Sequence, residues 1–126
     1  MRRRTRPFPV VGVGASAGGL EAFLQLVKHL PPDTGMAFVL VQHLAPQHES
    51  ALAGLVSRTA RMPVAEVREG MRVEPNRIYV IPPNVNMALS NGVLRLSRRP
   101  EGQHTSIDFF FNSLAHDRKS GACGVI

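Results

Sequence analysis

The stretch Val10-Val11-Gly12-Val13-Gly14-Ala15-Ser16-Ala17-Gly18-Gly19 decides the fold, because a Val-rich apolar run breaks there into small residues around one serine. A short apolar run bounded by turn residues reads as a strand buried on both faces, the kind a parallel sheet uses. Met36 to Val41 is a second such run, and it ends in Gln42-His43. Between the two, Leu20, Phe23, Leu24, Val27 and Leu30 recur at helical spacing. They predict an amphipathic helix over Gly19–Leu30, ended by Pro31-Pro32-Asp33-Thr34-Gly35. A right-handed crossover lays the first strand, Pro9–Val13, beside the second, Met36–Gln42. A serine after one strand and a histidine after the next can then meet at one edge of the sheet, where open α/β folds place their chemistry.

The rest of the chain continues the alternation. Leu52, Leu55, Val56 and Thr59 mark a shorter helix capped by Ser50, and Val64–Val67 and Arg77–Ile81 read as strands, the latter stopped by Pro82-Pro83. Met87–Leu89 and Val93–Leu96 flank Ser90-Asn91-Gly92 and predict a hairpin on Asn-Gly turn chemistry. Ser106 is placed to N-cap a helix with Ile107, Phe110, Phe111, Leu114 and Ala115 as its buried stripe and Asp108 in its first turn. Cys123-Gly124-Val125-Ile126 reads as the opening of another buried strand. The expected fold class is α/β, a doubly wound, mainly parallel sheet with flanking helices.

A length of 126 residues allows one domain with a real core, and a hydrophobic content of 44% fits a globular protein without a bilayer-spanning run. The net charge of +6 is concentrated at the start, in Arg2, Arg3, Arg4 and Arg6. With no aromatic interleaved to stack on bases, residues 1–8 read as a solvated basic leader rather than a nucleic-acid site. No apolar segment follows to make them a secretion signal. The single cysteine, Cys123, excludes an internal disulfide and fits the reducing cytoplasm. His43 and His48 stand five residues apart in a proline-containing segment, so no metal-ligand spacing is expected. His48 reads as a surface residue, and His29, His104 and His116 are assigned no role.

Gly14-Ala15-Ser16-Ala17-Gly18 fits G-x-S-x-G in the context that pattern requires, a strand, a sharp turn and a helix. Gly14 and Gly18 let the backbone turn and let a carbonyl approach Ser16. The helix beyond supplies unpaired N–H groups that can stabilise an oxyanion, or bind an anion with no catalysis. His43 is the candidate general base. Gly12-Val13-Gly14-Ala15-Ser16-Ala17 also matches the dinucleotide pattern G-x-G-x-x-A. That pattern needs an acidic residue ending strand two, where this chain has Gln42-His43, and Asp33 lies at the strand's other end.

Gly14-Ala15-Ser16-Ala17-Gly18-Gly19 resembles the serine motif of the catalytic domain of chemotaxis protein-glutamate methylesterases, the CheB family, and Gln42-His43-Leu44 its histidine. Glu69-Gly70-Met71-Arg72-Val73 with Ile78-Tyr79-Val80-Ile81-Pro82-Pro83 resembles its middle region, and Ser106-Ile107-Asp108-Phe109-Phe110-Phe111 its later helix. The resemblance runs from about Pro9 to Ile126. It implies hydrolysis of glutamate γ-methyl esters on methyl-accepting chemotaxis receptors, and in some members glutamine deamidation. No cofactor is implied. Ser16 would be the nucleophile, His43 the general base, and the Ala17 N–H one oxyanion donor. The family's acid sits in a glycine-rich loop directly after the strand that begins at Gly124, beyond the end of this chain. Residues 9–126 would therefore be the first two-thirds of the domain. Asp33, Asp108 and Asp117 are expected to be ordinary helix or turn carboxylates. The leader stands where many members carry a receiver domain. Gly19-Leu20-Glu21-Ala22-Phe23, Pro31-Pro32-Asp33-Thr34-Gly35-Met36 and Val39-Leu40-Val41-Gln42-His43-Leu44 look most like members fused to a CheR-type methyltransferase, which would lie downstream. The alternatives are an inactive truncated domain acting as a binding module and, more distantly, a dinucleotide-binding domain.

Overall fold

The computed structural model describes residues 8–15, 20–42, 51–82, 85–98, 106–118 and 121–125. In chain order these form β1 (Val10–Ala15), α1 (Leu20–Lys28), β2 (Ala37–Gln42), α2 (Ala51–Thr59), β3 (Val64–Glu66), β4 (Met71–Arg72), β5 (Arg77–Val80), β6 (Val85–Ser90), β7 (Val93–Arg98), α3 (Ser106–Arg118) and β8 (Ala122–Val125). Among them a five-stranded sheet runs β3-β5-β2-β1-β8, every neighbouring pair parallel.

Alternation along each strand sorts the side chains between two faces. Val11, Val13, Phe38, Leu40, Ile78 and Val80 are buried with Phe23 and Val27 of α1, Val56 of α2 and Met62. Val10, Val39, Val41, Tyr79 and Ile81 belong to the opposite core, with Phe110 and Leu114 of α3. Helices thus cover both faces, which is the doubly wound arrangement expected from strand-helix alternation. It also explains why β1 and β2 read as continuous apolar runs: neither strand has a wet side.

The second face carries a further layer. β4, β7 and β6 form a separate antiparallel sheet in that order. Its Met87, Leu89 and Leu94 close the core around Phe110 and Leu114. The hairpin turn is the Asn-Gly turn expected, with φ of 52° at Asn91 and 76° at Gly92, the left-handed pair that lets two strands reverse without splaying.

Three polar side chains tie this layer down by receiving its backbone N–H groups. Asp117 of α3 accepts from Asn91 at 2.6 Å and Gly92 at 3.2 Å. Ser113 Oγ accepts from Leu89 at 2.9 Å and donates to the Phe110 carbonyl at 2.7 Å. Glu69 accepts from Leu96 at 2.6 Å and from the Arg95 guanidinium at 3.1 Å. The Leu96 bond first, then Arg95, hold the Glu69 carboxyl below its ordinary pKa.

Several expectations need correction. β1 runs on to Ala15, so Gly14 and Ala15 are strand rather than turn. Met71–Arg72 pairs with β7 as β4, although two residues carry no readable period. The expected hairpin forms, and with β4 it makes a sheet of its own. Ala115 is exposed, and the buried stripe of α3 is Phe110 and Leu114 flanked by half-buried Ile107 and Phe111. At about 100° per residue Ala115 falls roughly 80° from Ile107, at the rim of that stripe. The capping side chains assigned to Ser50 and Ser106 lie outside what is described.

Candidate active site at the carboxyl edge of the sheet

β1 and β2 pair in register from Val10 opposite Ala37 to Ala15 opposite Gln42. Ser16 is the residue after Ala15 and His43 the residue after Gln42, so both follow the last paired positions of adjacent parallel strands. β8 pairs with the other side of β1, from Val10 opposite Ala122 to Val13 opposite Val125. α1 leaves β1 over one face, whereas α3 reaches β8 over the other. The carboxyl ends of β1 and β8 therefore flank the topological switch point, the crevice that open α/β sheets use for binding.

Of the residues expected at the site, Gly14 is described. Ser16, Ala17, Gly18 and His43 lie outside the described residues. Gly14 is buried inside β1 and its place has a steric reason. A methyl group on it would come within 2.7 Å of Ile107 Cγ2, closer than real side-chain contacts allow. Gly12 meets Leu114 Cδ2 at 2.9 Å in the same sense, and Gly124 of β8 meets Phe111 at 3.0 Å. These glycines give α3 a flat seat across β1 and β8, with Ile107 of its first turn over Gly14, the first glycine of the serine motif. The glycine spacing that also fits a dinucleotide fingerprint is thereby accounted for by helix packing. Sequence reasoning missed Ile107; its hydrophobic position in the α3 stripe was legible, but its partner glycine was not.

The carboxylates fall elsewhere. Asp33 is exposed in the turn before β2, at the amino end of that strand. Asp108 is exposed in the first turn of α3, and Asp117 grips the hairpin turn. Among the described residues no group of His, Cys, Asp and Glu has the arrangement of a metal site, and no helix is long and apolar enough to cross a membrane.

A doubly wound α/β domain with a G-x-S-x-G serine after its first strand and a histidine after its second has the layout of a hydrolase built on an open parallel sheet. The chain matches the CheB methylesterase family over residues 11–126 and belongs to it. It is 34% identical over 119 residues to a protein-glutamate methylesterase/protein-glutamine glutaminase of Anaeromyxobacter dehalogenans, covering 93% of this chain and 35% of that protein. It is 33% identical over 129 residues to the corresponding protein of the group 3 operon of Pseudomonas putida, covering 100% of this chain and 38% of the other. The crystal structure of the Thermotoga maritima CheB methylesterase catalytic domain superimposes with a TM-score of 0.84 at 25% identity, over 94% of this chain and 66% of that one. The chain thus spans about a third of the length of the named relatives and two-thirds of the solved domain.

Proposed function

We propose that the protein hydrolyses glutamate γ-methyl esters on methyl-accepting chemotaxis receptors, with Ser16 as nucleophile and His43 as general base. The observation that carries this reading is the parallel register that sets Ala15 opposite Gln42, with Ser16 and His43 next along the two strands. Ser16 Oγ attacks the ester carbonyl while His43 takes its proton. The tetrahedral oxyanion is met by the Ala17 N–H, in the segment between β1 and α1, with Gly18 keeping the approach open. Collapse breaks the ester C–O bond, and methanol leaves with the proton from His43. Water then attacks the acyl-serine with His43 again as base, releasing the glutamate carboxylate and restoring Ser16. The same sequence on a glutamine side chain releases ammonia, in line with the glutaminase in the relatives' names.

The carboxylate that orients His43 belongs, by the family resemblance, to the segment following β8. A CheR-type methyltransferase is the proposed downstream partner, the cytoplasm the proposed compartment, and neither cofactor nor nucleic acid is part of the reading.

A serine-directed fluorophosphonate tests the nucleophile. Peptide mass spectrometry is expected to find the adduct on Ser16, formed more slowly in His43→Ala. An adduct on another serine, or none, would contradict the assignment.

A further inference from the structure

A cleft of about 280 Å³ opens at the amino ends of β3 and β5, at the opposite end of the sheet from Ser16 and His43. Val64, Ala65, Met71 and Ile78 give it an apolar lining, and Arg72 and Arg77 bring guanidinium groups to it. Its wall is fixed by Tyr79, whose hydroxyl accepts from the Glu74 N–H at 2.8 Å and donates to the Arg72 carbonyl at 3.4 Å. Burial pushes the Tyr79 phenol above its ordinary pKa, so it stays a neutral strut at working pH.

The cleft adjoins an open strand edge. β3 pairs only with β5 among the described residues. The Pro63 carbonyl accepts from Ile78 and the Val67 N–H donates to Val80. In a parallel ladder alternate residues bond to one side, so Pro63, Ala65 and Val67 serve β5 while the main-chain groups of Val64 and Glu66 point outward.

The rim is basic. Arg61, exposed before the amino end of β3, and exposed Arg72 across the cleft have no carboxylate partner among the described residues, Arg77 shares Glu74 at 3.2 Å, and exposed Glu66 on β3 and Arg68 just past that strand's other end offset each other.

We propose that this edge binds an extended, acidic peptide segment of a partner protein as an added strand, with one of its carboxylates on Arg72 and an apolar side chain in the cleft. Strand addition supplies the main-chain bonds at Val64 and Glu66, and alternate side chains supply the selectivity. A second copy of the chain is the poorer occupant, since it brings the same basic rim and a net charge of +6. The site is independent of the esterase reading and survives its failure.

Fluorescence anisotropy with a labelled peptide of alternating Glu and Val tests it on the intact chain. Saturable binding with a Kd below about 1 mM is expected. Arg72→Glu should weaken it by about fivefold, through loss of an exposed pair and gain of a repulsion. Val64→Pro, which removes an outward N–H and no bond to β5, should weaken it too, with some loss of melting temperature because Val64 also packs against the core around Val56 and Ile78. The same peptide N-methylated at alternate residues should not bind. Equal binding of the N-methylated peptide, of a Lys-Val peptide or of a single-stranded oligonucleotide would overturn the proposal, as would no binding at all.

Discussion

On one face of the parallel sheet Val11, Val13, Phe38 and Leu40 meet Phe23, Val27 and Val56 through apolar contact, whereas on the other α3 lies on glycines and a small antiparallel sheet is tied on by Asp117, Ser113 and Glu69. The first face is specified by periodicity, and any residue of similar size and apolarity keeps it. The second depends on close approach and on side chains satisfying named backbone groups, so its tolerance for change is position by position. It is also the face that carries α3 over to β8, and so the one that completes the carboxyl edge on the far side of β1.

Removing the shared anchor of that second face should do the most damage. Phe110 is fully buried between the two sheets, and Phe110→Ala is expected to cost about 3–5 kcal/mol in urea unfolding. Next comes the glycine seat. Gly14→Ala pushes a methyl group into Ile107 and should cost about 1–3 kcal/mol. Adding Ile107→Ala should recover part of that loss, and strictly additive effects in the double-mutant cycle would mean the contact is not what fixes Gly14. Asp117→Ala leaves the Asn91 and Gly92 N–H groups without this acceptor. Roughly 1–2 kcal/mol is expected, with faster hydrogen exchange at the hairpin turn and none on the α1 face.

The smallest effect is one of pH. The Glu69 carboxyl is held below its ordinary pKa, chiefly by the Leu96 N–H and then by Arg95. A group whose folded pKa is depressed contributes its full stability above the unfolded value and loses it as pH falls through the folded one. The chain should therefore weaken below about pH 4, and Glu69→Gln should flatten part of that acid limb while changing little at neutral pH. An unchanged acid limb in the variant would place the sensitivity elsewhere.

The same contrast explains what could be read from the sequence. The valine runs of β1 and β2, the stripe of α1 and the Asn-Gly turn all announce themselves, because each rests on a local period or a backbone preference. β4 does not, since two residues have no period, and pairing with β7 comes from tertiary placement. Gly14 was legible as part of a serine motif but its steric role was not, because Ile107 is far away in the chain. Asp117 could be read as a turn or helix carboxylate, and its grip on Asn91 and Gly92 appears only once α3 and the hairpin are side by side. At the candidate site the strand ends and the adjacency of the two strands were legible, and the register that aligns those ends comes from the structure; Ser16 and His43 rest on motif and family.

The central claim is that Ser16 carries out ester hydrolysis, and methanol release from methylated receptor preparations measures it most directly. The account predicts release by the protein as it is made in its own cells, falling by about 10⁴-fold or more in Ser16→Ala. Equal release by the two proteins, or none from either, would contradict it.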